Sequence, residues 1–162
     1  GGVMVGNRVA EVLIEKGGEF AHGYTYSGHP VACAVALANL DIMEREQLPQ
    51  RVKGEIGAYF ARRYVELNEH PLVGGAEACG FVAGLLLLKD PSTNERFSED
   101  AGVGMMCRKH CFNNGLIMRA VGDRMIIAPP LTLSINEIDE LMRLIRIALD
   151  LTLDELRSKG LR

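Results

Sequence analysis

The chain has 162 residues, of which 48% are hydrophobic and 24% charged, and its net charge is −3. This length suits one domain of ordinary size that needs no disulfide or metal to hold its core. The acidic balance argues against binding to nucleic acid or to an anionic membrane, and the longest uncharged run, residues 20–40, is too polar for a transmembrane helix.

The four cysteines are spread over predicted helices and a strand, at Cys33, Cys79, Cys107 and Cys111. Without secretion signals, this pattern predicts reduced thiols in a cytoplasmic protein. Cys107, His110 and Cys111 resemble metal-ligand spacing, but no second ligand pair lies at a matching distance. We therefore predict no metal site.

The first 46 residues predict two helices around a polar loop. Val5 to Lys16 has helical spacing and ends at Gly17-Gly18. The second helix runs from Pro30 to Glu46, and its cap is Ser27, Gly28 or His29. Because this helix is apolar on nearly every side, we expect it to be buried on several sides.

The remaining residues predict helices alternating with strands. One helix is expected from Leu48 to Glu69, ended by Pro71. Phe81 to Leu88 is a continuous apolar run, which predicts a strand covered on both faces. A polar loop follows, and then a helix from Asp100 to Asn113, stopped by Asn114-Gly115.

The C-terminal third predicts a hairpin and a long helix. The hairpin strands are Leu116 to Ala120 and Arg124 to Ala128, with a turn at Gly122-Asp123. Ser134 and Glu137 form a capping box ahead of the last helix. The order of elements predicts a small α/β sandwich with a mostly antiparallel sheet.

Two places could carry chemistry. Thr25 and Ser27 offer hydroxyls beside the unpaired N–H groups of a helix start, a combination that can grip a phosphate or merely cap the helix. Arg119 lies in an otherwise apolar strand, so it either points to solvent or reaches a carboxylate. Arg124 is interpreted as a surface charge beside the turn, and His29 as structural.

Two long motifs carry a family resemblance. The stretch "GGEFAHGYTYSGHPVACAVALANLDIMERE" resembles the segment after the catalytic lysine of class III aminotransferases, which use pyridoxal 5'-phosphate (PLP). The stretch "CFNNGLIMRAVGDRMIIAPPLTLSINEIDELM" resembles the C-terminal part of the same family. The resemblance covers essentially the whole chain.

This resemblance implies the C-terminal part of a fold type I PLP-dependent transferase. Residues 1–46 would be the end of the large PLP-binding domain with the interdomain helix, and residues 47–162 the small C-terminal domain. The threonine matching Thr25, with the backbone N–H of Tyr24 or Thr25, would bind the cofactor phosphate of the neighbouring subunit. The arginine matching Arg119 would bind a substrate carboxylate.

The activity implied for the complete protein is transfer of an amino group from an amine, diamine or ω-amino acid to pyruvate or another keto acid. A homodimer or tetramer is implied as well. The five lysines of this chain match no Schiff-base position, so that lysine is expected upstream and the chain alone is expected to be inactive. Cys79 departs from the arginine usual in relatives. The alternatives are a decarboxylase or aminomutase on the same fold, or a non-catalytic assembly module.

Overall fold

The computed structural model describes residues 2–162. The chain forms two compact units, the first ending at Glu46 and the second running from Gln47 to Arg162.

The first unit contains helices α1 (Asn7–Lys16) and α2 (Pro30–Arg45). None of residues 2–46 is buried, and in α2 only Met43 is even partly covered. The prediction that α2 is buried on several sides is therefore wrong for this chain. Apolar helices become buried only against another layer, and residues 2–46 build no core of their own.

The second unit begins with two helices where the sequence predicts one. Helix α3 (Leu48–Lys53) and helix α4 (Glu55–Val65) are separated by Gly54, whose ψ of −147° is not helical. A one-turn 3₁₀ helix (Glu66–Glu69) ends the segment before Pro71. The break lets α4 approach the end of α3 closely. A Cβ on Gly57 would lie 1.9 Å from the carbonyl oxygen of Val52. Only glycine fits there.

Four strands form one antiparallel sheet in the order β1-β2-β4-β3. They are β1 (Val73–Cys79), β2 (Val82–Leu87), β3 (Arg119–Val121) and β4 (Arg124–Ile127). The β3–β4 turn contains Gly122 with φ of +55°, a conformation that glycine adopts without strain. The predicted hairpin and antiparallel α/β sandwich are thus confirmed, with the correction that the first hairpin strand begins at Arg119 and not at Leu116.

Strand β2 corrects the expectation of a strand covered on both faces. Ala83, Leu85 and Leu87 are buried, whereas Val82 is 60% exposed. Gly84 and Leu86, which share its face, are only partly covered. Because helices cover only one face of the sheet, buried and more exposed residues alternate along β2, although nearly all of its residues are apolar.

Helices α5 (Val103–Asn113) and α6 (Ile135–Ser158) complete the unit. The helix predicted from Asp100 is interrupted at Gly102, which has φ of +58° and separates a short 3₁₀ turn from α5. The capping box of Ser134 and Glu137 is confirmed at the start of α6.

The core lies between the inner face of the sheet and helices α4, α5 and α6. Its largest fully buried side chains are Tyr64, Phe60, Leu67, Leu72, Leu87, Leu88, Met125, Ile138, Met142, Ile145, Leu149 and Leu156. Residues of α6 at helical spacing, from Ile138 to Leu156, supply much of this core. Among the described residues, no helix combines the length and apolar character needed to span a bilayer.

His70 joins the segment before β1 to α6. Its ring is 8% exposed, its Nδ1 accepts from the Leu72 N–H at 3.2 Å, and its Nε2 lies 3.3 Å from Asp150 Oδ1. Burial lowers the pKa of His70, with Asp150 opposing and Arg146 adding to the effect. Since Nδ1 already accepts a hydrogen bond, protonation would cost that bond as well.

We expect His70 to make the fold less stable in acid. The unfolded histidine titrates near a pKa of about 6.5, so the unfolded chain binds a proton where the folded chain does not. This stabilisation is complete above about pH 7 and is lost as the pH falls through 6.5 towards the lower folded-state pKa. Urea midpoints at pH 7 and pH 5.5 should therefore differ less in His70→Asn, which retains an acceptor for Leu72. Exposed His22→Asn is the control, and an equal pH effect in both variants would contradict the assignment.

Candidate functional site

The Tyr24-Thr25-Tyr26-Ser27 segment forms a turn closed by two hydrogen bonds. The Ser27 N–H donates to the Tyr24 carbonyl at 2.9 Å, and the Tyr24 N–H donates to Ser27 Oγ at 3.1 Å. Thr25 is at the first central position, exposed. Its hydroxyl and its amide find no partner among residues 2–162. Thr25 therefore presents two donors side by side, whereas the Tyr24 amide is already engaged.

The cap of α2 is His29, one of the three residues left open by the sequence. Its Nδ1 accepts from the Ala32 N–H at 3.4 Å, and Pro30 is the first helical residue. Gly28 precedes it with φ of +72°. Ser27 closes the turn and His29 caps the helix, which leaves Thr25 without a structural task in the described chain.

Three aromatic rings contact one another in a row along the segment that leads into this turn. The ring centroids of Phe20 and His22 are 5.9 Å apart, and those of His22 and Tyr24 are 5.7 Å apart, both edge to face. Alternate side chains of an extended segment fall on one side, which brings these rings together. In the sequence these aromatic residues alternate with the small residues Ala21 and Gly23, and this spacing is the available signal for the arrangement.

Arg119 is the first residue of edge strand β3. It pairs with Ile126 of β4, and this row continues through Gly84 of β2 to Glu77 of β1 on the outer face of the sheet. The neighbouring row, Ala120 with Met125, faces the core. Arg119 is exposed, and its guanidinium has no ion pair or hydrogen bond within residues 2–162. Of the two placements that the sequence allowed, the structure has the outward one, with the guanidinium available to a ligand.

A groove of about 540 Å³ opens beside Arg119. Its walls come from the segment before β3, the end of β4, the loop that follows β4, and the first half of α6. Most of the lining is apolar, from Gly115, Leu116, Ile117, Ile126, Ile127, Ala128, Pro129, Pro130, Leu133, Leu141 and Leu144. Arg119, Glu137 and Glu140 are its charged members.

Both carboxylates of the groove already accept hydrogen bonds from neighbouring residues. Glu137 accepts from the N–H and the hydroxyl of Ser134, each at 2.8 Å, and these bonds lower its pKa. Glu140 accepts two bonds from Arg143, at 2.6 Å each, which lower its pKa. Among the described residues, Arg119 is therefore the charged lining group that lacks a partner. A cation at the edge of an apolar groove suits a small organic carboxylate.

Arg124 lies two rows from Arg119, on the same outer face, paired with Val121 and Leu86. It is exposed directly after the Gly122-Asp123 turn, as the sequence predicts. Although it resembles Arg119 in chemistry, it lies outside the groove just described.

Two of the four cysteines are core residues. All four are free thiols, and Cys107 and Cys111 are buried in the core. The pKa of the Cys111 thiol is raised, most by its hydrogen bond with Cys107 and to a smaller extent by burial. His110 contacts Glu155 at 2.8 Å instead. Within residues 2–162, no group of three or more His, Cys, Asp and Glu side chains could hold a metal ion.

Solved transaminases share this fold. A structure from the directed evolution of transaminases by ancestral reconstruction matches 94% of this chain and 34% of its own, with a TM-score of 0.81 and 40% identity. The PMP-bound aminotransferase from Vibrio fluvialis matches 91% of this chain and 32% of its own, with a TM-score of 0.77 and 32% identity. The fold is that of the corresponding part of fold type I transaminases, as the resemblance implied.

The sequence comparisons identify the family. The aminotransferase class-III family matches residues 2–149. The putrescine–pyruvate aminotransferase of Pseudomonas aeruginosa is 57% identical over 152 residues, which is 94% of this chain and 33% of the relative. The diaminobutyrate–2-oxoglutarate transaminase of Halomonas elongata is 39% identical over 98% of this chain and 35% of its own length. The chain belongs to the class-III aminotransferase family, and it spans about a third of the length of these curated relatives.

Proposed function

We propose that this chain is the C-terminal portion of a PLP-dependent aminotransferase. The complete protein would move an amino group from an amine, diamine or ω-amino acid to pyruvate or another keto acid. The observation that carries the proposal is the 57% identity to a putrescine–pyruvate aminotransferase over 94% of the chain. A diamine donor and pyruvate as acceptor are therefore the first substrates to test.

Within that enzyme, residues 1–46 would end the large PLP-binding domain and lead into residues 47–162 as the small domain. Two observations support this assignment. The chain divides into compact units after Glu46. The apolar side chains of α2, such as Val31, Val35 and Leu37, are more than 60% exposed, which suits a helix that is covered by another layer in a larger protein.

Thr25 would hold the cofactor phosphate of the neighbouring subunit in a homodimer or tetramer. A hydroxyl and an amide that have no partner fit a phosphate, which offers several acceptor oxygens. The engaged amide of Tyr24 favours the Thr25 amide as the second donor. PLP, when bound, supplies the electron sink on which amino-group transfer depends. The Schiff-base lysine would lie upstream of this chain, so we expect no transamination from residues 1–162 alone.

Arg119 would receive the carboxylate of the keto acid or amino acid. Its fork of parallel N–H donors matches a carboxylate, and the apolar groove beside it would accommodate the rest of a small organic acid. A simple amine has no carboxylate and would not use this contact. Arg119 would thus bind and orient substrates that carry a carboxylate, and it would not contact a donor that lacks one. A cytoplasmic location is part of the proposal.

The activity is tested by incubating the complete PLP-loaded enzyme with putrescine and pyruvate and measuring alanine. We expect alanine to accumulate, and not with the 162-residue chain alone. Absence of alanine would count against transamination. With an amino acid in place of putrescine, release of carbon dioxide would indicate a decarboxylase, and a shifted amino group in the donor would indicate an aminomutase. Those reactions are not favoured, because the curated relatives named above are aminotransferases.

Thr25→Ala in the complete enzyme is expected to weaken PLP binding about tenfold, since one charge-assisted hydrogen bond is lost. The measurement is the equilibrium dissociation constant of PLP, followed by cofactor absorbance after dialysis. Thr25→Ser keeps a hydroxyl and should retain most of the affinity, and Thr93→Ala in the exposed polar loop serves as the control. Unchanged PLP affinity in Thr25→Ala would remove Thr25 from the phosphate site.

A further inference from the structure

The loop between β4 and α6 is held by a single arginine from the start of the unit. Arg51 of α3 donates from Nη1 to the Leu131 carbonyl at 2.6 Å and from Nη2 to the Leu133 carbonyl at 2.5 Å. These residues lie 80 and 82 positions away along the chain. The one backbone hydrogen bond found inside the loop joins the Leu133 N–H to the Pro130 carbonyl at 3.2 Å, among the residues the structure describes.

The chemistry of this loop favours such an anchor. Pro129 and Pro130 have no N–H, so the segment cannot continue the ladder of β4. Its carbonyls need donors from elsewhere, and two carbonyls on one side of a turn match the parallel N–H groups of a guanidinium. A lysine offers a single point of charge and could not hold both in the same way.

The anchored loop is also a wall of the groove beside Arg119. Ala128, Pro129, Pro130 and Leu133 all line it. The loop begins two residues after Ile126, the pairing partner of Arg119. A shift of the loop would therefore change the shape of the groove at the residue that faces the ligand.

Arg51 also brings positive charge towards the acidic side of the groove. Its charge contributes to the lowered pKa of Glu137, after the two bonds from Ser134. An incoming carboxylate is repelled by Glu137, and the nearby guanidinium offsets part of that repulsion. Loss of Arg51 would thus disturb both the wall and the potential of the groove.

We propose that Arg51 is a positioning residue of the carboxylate site: by anchoring the β4–α6 loop, it fixes the groove in which Arg119 receives the substrate carboxylate. This inference rests on the function proposed for Arg119. Arg51 itself touches the loop carbonyls and not the ligand, so its effect is on the binding of carboxylate substrates and not on the binding of a simple amine.

The test compares the two half-reactions of the complete enzyme in Arg51→Met, Arg51→Lys and Arg119→Ala. We expect Arg51→Met to lower kcat/KM for pyruvate about tenfold, mainly through KM, because two charge-assisted bonds that fix the wall are lost. The reaction with a carboxylate-free monoamine should change less than about twofold. Arg51→Lys should fall between wild type and Arg51→Met.

Arg157→Met is the matched control, since Arg157 is an exposed arginine of α6 paired with Asp154 at 3.8 Å. It should leave both half-reactions unchanged. Thermal unfolding of each variant checks the fold. If Arg51→Met does not fold, the test rests on Arg51→Lys, in which kcat/KM for pyruvate is again compared with kcat/KM for the monoamine.

The outcomes separate the two proposals. If Arg119→Ala is selective for carboxylate substrates and the Arg51 variants harm both half-reactions equally, Arg51 is a general structural residue and this inference is wrong. If Arg119→Ala shows no selectivity, the proposed role of Arg119 fails, and the inference built on it fails with it.

Discussion

Arg119→Ala in the complete enzyme is expected to lower kcat/KM for pyruvate and for amino-acid donors by roughly 10- to 100-fold, which is the loss of a bidentate charge-assisted contact. The reaction with a carboxylate-free amine should change by less than about threefold. The physical reason is the isolation of this guanidinium: it is exposed beside an apolar groove and has no partner within residues 2–162. No internal ion pair is lost on its removal, so the effect reports on the ligand.

Two further variants make this experiment specific. Arg124→Ala removes an arginine from the same outer face of the sheet, two rows away and outside the groove. It should leave both half-reactions near wild type. Arg119→Lys keeps the charge and loses the fork, so it should recover part of the pyruvate reaction. Equal losses with the amine and with pyruvate in Arg119→Ala would show that Arg119 is structural.

The placement of Arg119 depends on register, and the sequence carries much of that information. The apolar run on either side of Gly122-Asp123 predicts a hairpin, and alternation within it puts Arg119 and Met118 on opposite faces. Met118 is 2% exposed and Arg119 is exposed. Which strand lies beyond β4 is a matter of long-range pairing, and local patterns do not supply it.

The last helix was the most predictable element. Its start is specified by the capping box of Ser134 and Glu137, and its buried face repeats at helical spacing from Ile138 to Thr152. By contrast, the sequence does not predict the break at Gly54, because apolar residues continue at helical spacing across it, from Val52 to Ile56 and Phe60. A single glycine in a helical pattern is usually tolerated, and here the deciding factor is the tight approach of Gly57 to the Val52 carbonyl.

In the candidate site, too, the contacts between residues close in sequence could be predicted, and the contacts between distant residues could not. Thr25 and its turn are local, since both hydrogen bonds span three residues. The grip of Arg51 on the loop at Leu131 and Leu133 joins positions about 80 residues apart, and no pattern around Arg51 announces it. Sequence reasoning found the residues that present free donors, and it missed Arg51, whose two hydrogen bonds are made within the fold.

The hairpin that carries Arg119 rests on the first turn of α5, and Gly104 makes that contact possible. A Cβ on Gly104 would lie 1.9 Å from the Gly122 carbonyl oxygen and 3.3 Å from the Cα of Asp123. The Gly104 N–H also donates to Asp123 Oδ1 at 3.3 Å. These are backbone atoms of a tight turn, so they cannot rotate away as a flexible side chain would.

Gly104→Ala is therefore expected to destabilise the fold by about 2–3 kcal/mol, the upper part of the ~1–3 kcal/mol range for forcing extra atoms into a packed site, and to lower Tm by roughly 5–15 °C. Better helix propensity of alanine, worth about 1 kcal/mol, works in the opposite direction and is outweighed, because the turn must move away from α5. Gly75→Ala in β1 is the matched control, since a Cβ there meets no atom within 4 Å. It should melt within a few degrees of wild type, and a Gly104→Ala variant that melts with it would show that the hairpin does not depend on this contact.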